Sequence, residues 1–334
     1  MNRGKQMGRL WKKLAALLLA GVLTGCSAPA EEMQQPVERS LFAMNTYMTF
    51  TAYGEDAQAA LQEAEECIQQ VEGLWSVTDK DSEIYQANHS GGQPVTVSEE
   101  TAEIISFALE MAQRTGGALD PTIYPVLTAW GFTTDSKQVP SQQQIAQLLE
   151  QVGYDRIQLN GSELTVPDGM ELDLGAVGKG YAVEQTARAA QARGLTSALL
   201  NIGGNVRAIG TKPGGKPWTA GVENPWGDDP AYIQAVELAD GDSLVISGDY
   251  QRYFEYDGVR YAHLIDLTTG YPARYVSSVA VLARADTGGL ADALSTGLFC
   301  LPEETGQALA AQNHYAVLWM RPDETTSQSA DWPQ

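Results

Sequence analysis

Tyr253-Phe254-Glu255-Tyr256-Asp257-Gly258-Val259-Arg260-Tyr261-Ala262-His263-Leu264-Ile265 contains two runs rich in aromatic and branched residues that meet at Asp257-Gly258. That dipeptide suits the left-handed backbone of a two-residue turn, so the stretch predicts an antiparallel hairpin. Arg156–Val166 repeats the arrangement around Asn160-Gly161, and further strands are expected at Tyr47–Tyr53, Ser197–Ile209 and Ile233–Ser247. Helical patterns lie between them. Residues 56–75 place Ala60, Ala64, Cys67, Ile68, Val71, Leu74 and Trp75 at three- and four-residue spacing. Ser98 caps a second pattern that carries Glu99 and Glu100 in its first turn and stops at Gly116-Gly117, and a third runs from Ser141 to about Gln151 before Gly153. Hairpins alternating with helices predict an α+β domain of antiparallel sheets with packed helices. With no internal repeat and no second linker, residues 41–322 read as one composite domain, and residues 323–334 as a loose tail.

Composition narrows the function classes. The 334 residues include 42 acidic and 21 basic side chains, for a net charge of −21, and 43% are hydrophobic. This is too apolar for a disordered chain and too poor in charge for a coiled coil. Nor does so acidic a chain fit nucleic-acid binding through a basic surface.

The charge is uneven. The first 25 residues hold Arg3, Lys5, Arg9, Lys12 and Lys13 and no acid, so the rest carries 42 acids against 16 bases. A basic start followed by the apolar run Leu14–Val22 has the layout of a secretory signal and is short for a transmembrane helix. Leu23-Thr24-Gly25-Cys26 resembles a bacterial lipobox. The expectation is a signal peptide over residues 1–25, lipidation at Cys26, a flexible tether over 26–40, and an extracytoplasmic protein anchored to the membrane by lipid. Cys67 and Cys300 then remain, each in an apolar-periodic stretch that suggests a buried free thiol. The chain has no C-x-x-C, and its three histidines are scattered, which disfavours a zinc or haem site.

Chemistry concentrates where glycine meets charge. Asp173-Leu174-Gly175-Ala176-Val177-Gly178-Lys179-Gly180 follows an extended segment and precedes a helical pattern from Tyr181 to Arg193. Glycines admit a ligand close to the backbone, and a lysine at a helix N-terminus adds a cation to amide donors, which points to a phosphate-bearing ligand. Asp173 and Gly180 stand where a Walker A loop has its first glycine and its hydroxyl residue, and no dinucleotide fingerprint is complete. The structural alternative is a plain glycine turn. In Ala291-Asp292-Ala293-Leu294-Ser295-Thr296, Asp292 and Thr296 share one face if the segment is helical, offering hard oxygen ligands suited to Mg²⁺. The alternative is a capping Asp and a packed Thr. Ala293-x-Ser295-x-Gly297 lacks the first glycine and the partners of a hydrolase elbow. The third group, Ser247-Gly248-Asp249-Tyr250 and His263 through Pro272, contains polar residues that a turn alone could employ.

In order and wording these segments resemble the ApbE family of flavin transferases, together with Met44-Asn45-Thr46, Gly116-Gly117-Ala118-Leu119-Asp120-Pro121-Thr122 and Asn201-Ile202-Gly203-Gly204-Asn205. The resemblance spans nearly the whole chain after Cys26. It implies a T-fold-like α+β architecture and a Mg²⁺-dependent enzyme that moves FMN from FAD to a Thr or Ser of an acceptor protein, itself a membrane or extracytoplasmic redox protein. It further implies that Met44, Ala118, Leu119, Asp120, Asp173, Lys179 and His263 line the FAD site. Mg²⁺ would be held by the backbone oxygen of Ala176 and the side chains of Asp292 and Thr296. Two departures stand out: Asn45 replaces the family's usual glycine, and only Val77 and Trp75 are near the position of an aromatic that often precedes Ser82-Glu83.

The expected chemistry is in-line attack of the acceptor hydroxyl on the FMN phosphorus with departure of AMP, with Asp292 and Lys179 as catalytic residues. The proton acceptor is open between Asp292 and Asp266. Two alternatives share the site: hydrolysis of FAD to FMN and AMP, and flavin capture without catalysis by a surface lipoprotein.

Overall fold

The computed structural model describes residues 35–134, 136–227, 229–285 and 287–334. The basic leader, Cys26 and residues 26–34 of the expected tether therefore lie outside the described residues. Residues 36–334 form one unit.

Strands β1 (Val37–Ala43) and β2 (Thr46–Ala52) make a hairpin whose turn residues, Met44 and Asn45, are both left-handed at φ 50° and 56°. Residues 37–40, expected in the tether, are thus already sheet. Asparagine is among the few non-glycine residues that tolerate this backbone, which explains how Asn45 stands where the family has glycine. Helix α1 (Ala57–Trp75) follows and buries Ala60, Leu61, Ala64, Ile68, Val71 and Trp75. Helix α2 (Glu99–Arg114) begins where the Ser98 hydroxyl accepts from Thr101 N at 3.3 Å. Helix α3 (Gly178–Ala192) leads to β3 (Ser197–Ile202) and β4 (Asn205–Gly210), then β5 (Ser243–Gly248) and β6 (Ser278–Ala283). Helix α4 (Gly288–Phe299), β7 (Ala316–Met320) and β8 (Thr326–Gln328) complete the frame. These eight strands form one antiparallel sheet in which spatial order repeats chain order. The α+β expectation holds, with the helices inserted between successive strands.

Side-chain alternation divides the core across this sheet. Val279, Val281, Val317 and Trp319 point to the face covered by α1, α3 and α4. Ala280, Leu282, Leu318 and Met320 point to the other, covered by the hairpin of Trp218–Glu223 and Tyr232–Leu238. With both faces covered, β6 and β7 are buried at every residue. The expected strand Ile233–Ser247 is really two strands that do not pair with each other: Tyr232–Leu238 joins Trp218–Glu223, whereas β5 joins β4 and β6.

The two predicted hairpins form. Tyr253–Tyr256 pairs with Val259–Ala262 across Asp257-Gly258, with φ of 50° and 72° at the turn. Gln158–Asn160 pairs with Glu163–Thr165, with Asn160 opposite Glu163, so its turn is Gly161-Ser162, one residue later than expected. Neither hairpin joins the large sheet. The first packs through Phe254 and Tyr261 on a separate cluster of Val126, Trp130, Phe132 and Ile145. The C-terminal tail is not loose. Strand β8 pairs with β7, and Trp332 is buried with its Nε1 donating to Gln234 Oε1 at 2.9 Å.

Candidate active site

The glycine segment is the floor of the site. Asp173 N donates to Pro121 O at 2.7 Å, and Asp173 Oδ1 accepts from Gly175 N at 2.7 Å, tightening the turn that enters α3. A Cβ on Gly175 would lie 2.8 Å from that same oxygen, so a side chain there would push the Asp173 carboxylate from this position. Helix α3 then starts at Gly178, three residues before the expected Tyr181. Gly180 N belongs to the first turn of α3, where amides have no partner within the helix, and it donates to Asp292 Oδ2 of α4 at 2.8 Å. Among the described residues no hydrogen bond reaches Ala176 O.

Gly180 also permits the two helices to meet. A Cβ there would stand 2.5 Å from Asp292 Cβ and 2.8 Å from Gly288 O. The close crossing buries Asp292, whose Oδ1 lies 3.3 Å from Lys179 Nζ. Lys179 Nζ donates in addition to Gly175 O at 3.0 Å. One turn further along α4, Thr296 has a hydroxyl that none of the described residues engages.

Behind this crossing, Glu184 Oε1 of α3 accepts from Gly288 N at 2.9 Å and from Arg207 Nε at 3.1 Å, tying both helices to β4.

These groups open onto a cleft of about 1390 Å³. Met44, Ala118, Leu119, Asp120, Asp173, Ala176, Lys179, His263, Asp292 and Thr296, every site residue expected from the sequence apart from Cys26, line it. Met44 donates its N–H to Glu72 Oε1 at 2.7 Å, and its Cε lies 3.5 Å from where a Cβ on Gly178 would stand. Asp120 contributes differently from a ligand-facing carboxylate. Its Oδ1 accepts from Thr122 N and Oγ1 at 2.8 and 2.6 Å, and its Oδ2 from Tyr154 N at 2.9 Å. The side chain braces the turn that presents Ala118 and Leu119. Trp75 and Val77 line the cleft as well.

His263 sits at the root of the quoted hairpin. Its N–H donates to Arg252 O at 3.1 Å, and its Nδ1 lies 3.2 Å from the same oxygen. Burial, reinforced by the charges of Arg252 and Lys179, lowers its pKa to about 3. The imidazole is neutral, with Nδ1–H facing the carbonyl and Nε2 left as an acceptor. Burial shifts the Asp173 carboxyl the other way, upward, against the opposing pull of the Gly175 amide, Arg252 and Lys179.

Asp266 drops out as a proton acceptor. Its carboxylate accepts from Thr268 N and Oγ1 at 2.8 and 2.6 Å and from Tyr275 Oη at 2.9 Å, and only its neighbours Ile265 and Leu267 border the cleft. Cys67 and Cys300 are free thiols, Cys300 buried against the cleft with its pKa raised by desolvation. Sequence reading passed over Glu72, Lys137 and Arg252, all of which line the cleft. For Arg252 a signal was available: the turn at Asp257-Gly258 sets residue 252 opposite residue 263.

Among the described residues no three His, Cys, Asp or Glu side chains converge as a metal cage. What the cleft offers instead is one buried carboxylate, one unengaged hydroxyl and one unengaged carbonyl, from Asp292, Thr296 and Ala176. This hard, all-oxygen set with few protein donors fits Mg²⁺, which keeps several waters and shares its shell with phosphate.

Residues 44–319 match the ApbE family. The FAD:protein FMN transferase of Vibrio cholerae is 33% identical over 311 residues, covering 91% of each chain. That of Haemophilus influenzae is 32% identical over 96% of this chain and 97% of its own. Among solved structures, the ApbE protein of Thermotoga maritima superposes with a TM-score of 0.83 at 33% identity, covering 89% of this chain and 97% of that one. The flavin transferase ApbE of Vibrio cholerae gives 0.81 at 29% identity.

Proposed function

The chain belongs to the ApbE family, and we propose that it is a Mg²⁺-dependent transferase that moves FMN from FAD to a Thr or Ser hydroxyl of an acceptor protein. The observation that carries the reading is the buried Asp292 carboxylate, held by the Gly180 amide and 3.3 Å from Lys179, in one cleft with Thr296 and Ala176, whose hydroxyl and carbonyl none of the described residues engages.

Asp292, Thr296 and Ala176 O are the residues to hold the metal. Bound there, Mg²⁺ would neutralise charge on the diphosphate of FAD. Lys179 brings its ammonium to the same diphosphate from the first turn of α3, where amide donors add to its field. The acceptor oxygen forms a bond to the FMN phosphorus, the bond from that phosphorus to the bridging oxygen breaks, and the electron pair leaves with AMP. Of the two carboxylates weighed for the hydroxyl proton, Asp292 reaches the cleft and Asp266 does not. Neutral His263 contributes a hydrogen bond without charge. The residues therefore supply position and electrostatics, with no covalent intermediate on the protein.

The basic leader and the Leu23–Cys26 motif support an enzyme anchored by lipid outside the cytoplasm, acting on extracytoplasmic redox proteins. The test is mass spectrometry of an acceptor incubated with the protein, FAD and Mg²⁺. Added FMN on a Thr or Ser, with AMP released, supports transfer. Free FMN irrespective of acceptor would mean hydrolysis, and unaltered FAD would mean capture alone. Asp292→Ala should abolish Mg²⁺-dependent transfer while the far-ultraviolet circular dichroism stays native; full activity with Mg²⁺ in that variant refutes the metal assignment.

A further inference from the structure

Three cationic side chains line the cleft among the described residues, and they are not equally free. Lys137 Nζ donates to Gly131 O at 2.6 Å and to Thr134 O at 3.1 Å, so it ties its own loop together. Lys179 is paired with Asp292 and Gly175 O. Arg252 has one donor engaged, Nη2 to Phe132 O at 2.9 Å, and among the described residues the rest of its guanidinium has no partner.

We propose that Arg252 is a catalytic residue that grips the adenosine-side phosphate of bound FAD and neutralises the AMP leaving group; this rests on the transferase reading above. Two features place it at that phosphate. Lys179 stands with Asp292, Thr296 and Ala176 O, the donor set for the metal and thus the side of the attacked phosphorus. Arg252 reaches the cleft from the root of the 253–262 hairpin, and the carbonyl that holds it belongs to Phe132. Phe132 lines the cleft together with Ile123, Tyr124 and Leu127, an apolar and aromatic wall suited to a purine. The charges of both Lys179 and Arg252 are felt by Asp173 and His263, so the two cations serve one shared space. A diphosphate in that space presents two anionic centres, and the planar fork of an arginine matches a phosphate through two parallel N–H bonds. As the bond between the FMN phosphorus and the bridging oxygen breaks, its electron pair settles on the AMP phosphate, where the guanidinium meets the new charge.

The test compares Arg252→Gln and Arg252→Lys with the native chain in equilibrium binding of FAD, AMP and FMN, each with Mg²⁺, alongside transfer kinetics. Arg252→Gln should weaken FAD and AMP binding by about tenfold to a hundredfold, the scale of lost hydrogen bonds to a charged group. FMN binding should stay within about twofold, kcat should fall, and Arg252→Lys should recover part of each loss, since it restores the charge but not the fork. Unchanged AMP affinity, or equal weakening of AMP and FMN, overturns the proposal. If the native chain binds FAD yet transfers nothing, the transferase reading fails, while the contrast between AMP and FMN still decides the role of Arg252.

Discussion

His263 shows how one side chain's charge is set by its surroundings. A histidine in the unfolded chain takes its proton near pH 6.5, whereas in the fold burial and the adjoining Arg252 and Lys179 hold it neutral down to about 3. Between those values the unfolded state binds a proton that the folded state refuses, so this residue's contribution to stability is complete above about pH 6.5 and is lost as pH falls toward 3. Two outcomes follow for measurement. The ring Cε1–H resonance of His263 should show no inflection between pH 5 and 8 in an NMR titration. His263→Asn should flatten the loss of melting temperature between pH 6.5 and 4.5; an inflection near 6.5 in the native chain would mean that the ring protonates in place. The residue was visible in the sequence as part of a motif. Its charge state was not, because that depends first on burial in the fold, then on Arg252 across the hairpin and on Lys179, 84 positions earlier in the chain.

At the scale of elements, the crossing of α3 and α4 converts glycines into a site. Gly178 and Gly180 read as loop in the sequence because glycine weakens a helix interior, and so α3 was expected to start at Tyr181. Packing overrides that preference at Gly180, whose missing side chain lets Asp292 and the Gly288 carbonyl approach. The i, i+4 pairing of Asp292 and Thr296 was legible from helical periodicity alone, whereas the Gly180–Asp292 bond joins residues 112 apart and left no local trace. Strands β6 and β7 escaped for another reason: Ser278–Ala283 and Ala316–Met320 are buried on both faces and lack the alternation that marks a half-exposed strand. Gly180→Ala tests the crossing. Its Cβ has 2.5 Å where a methyl needs over 3 Å, and backbone blocks the way out. The substitution should cost about 1–3 kcal/mol of stability by overpacking. It should also raise the Mg²⁺ concentration needed for half-maximal activity, because the turn that carries Ala176, leading into α3, is pushed away from Asp292 on α4. A folded variant with native Mg²⁺ dependence would show that the close approach does not set the metal site.

Across the whole molecule, the eight-stranded sheet separates chemistry from closure. One face carries α1, α3 and α4, and with them the Asp173–Gly180 floor and the Asp292–Thr296 face. The other is sealed by the Trp218–Glu223 and Tyr232–Leu238 hairpin and, at the chain's end, by Trp332, which is 2% exposed among Ala316, Leu318 and Met320. The tail looked loose in sequence because Pro322–Gln334 is short, polar and without periodicity, and one tryptophan gives no pattern to read. Its anchorage is tertiary: the indole fills the second core, and Arg321 is fixed at 2.6 and 2.7 Å to Glu303 beside it. Trp332→Ala should therefore lower the unfolding free energy by about 3–5 kcal/mol, the usual cost of emptying a buried aromatic position. The folded fraction should keep the native affinity for FAD, because among the residues lining the cleft only Ile246 packs against this second core, and none of the buried residues around Trp332 lines it. Urea denaturation followed by FAD titration below the transition measures both quantities on one sample. A matched fall in FAD affinity would show that the sheet transmits the loss from one face to the other, and with it the division of labour between the two faces would fail.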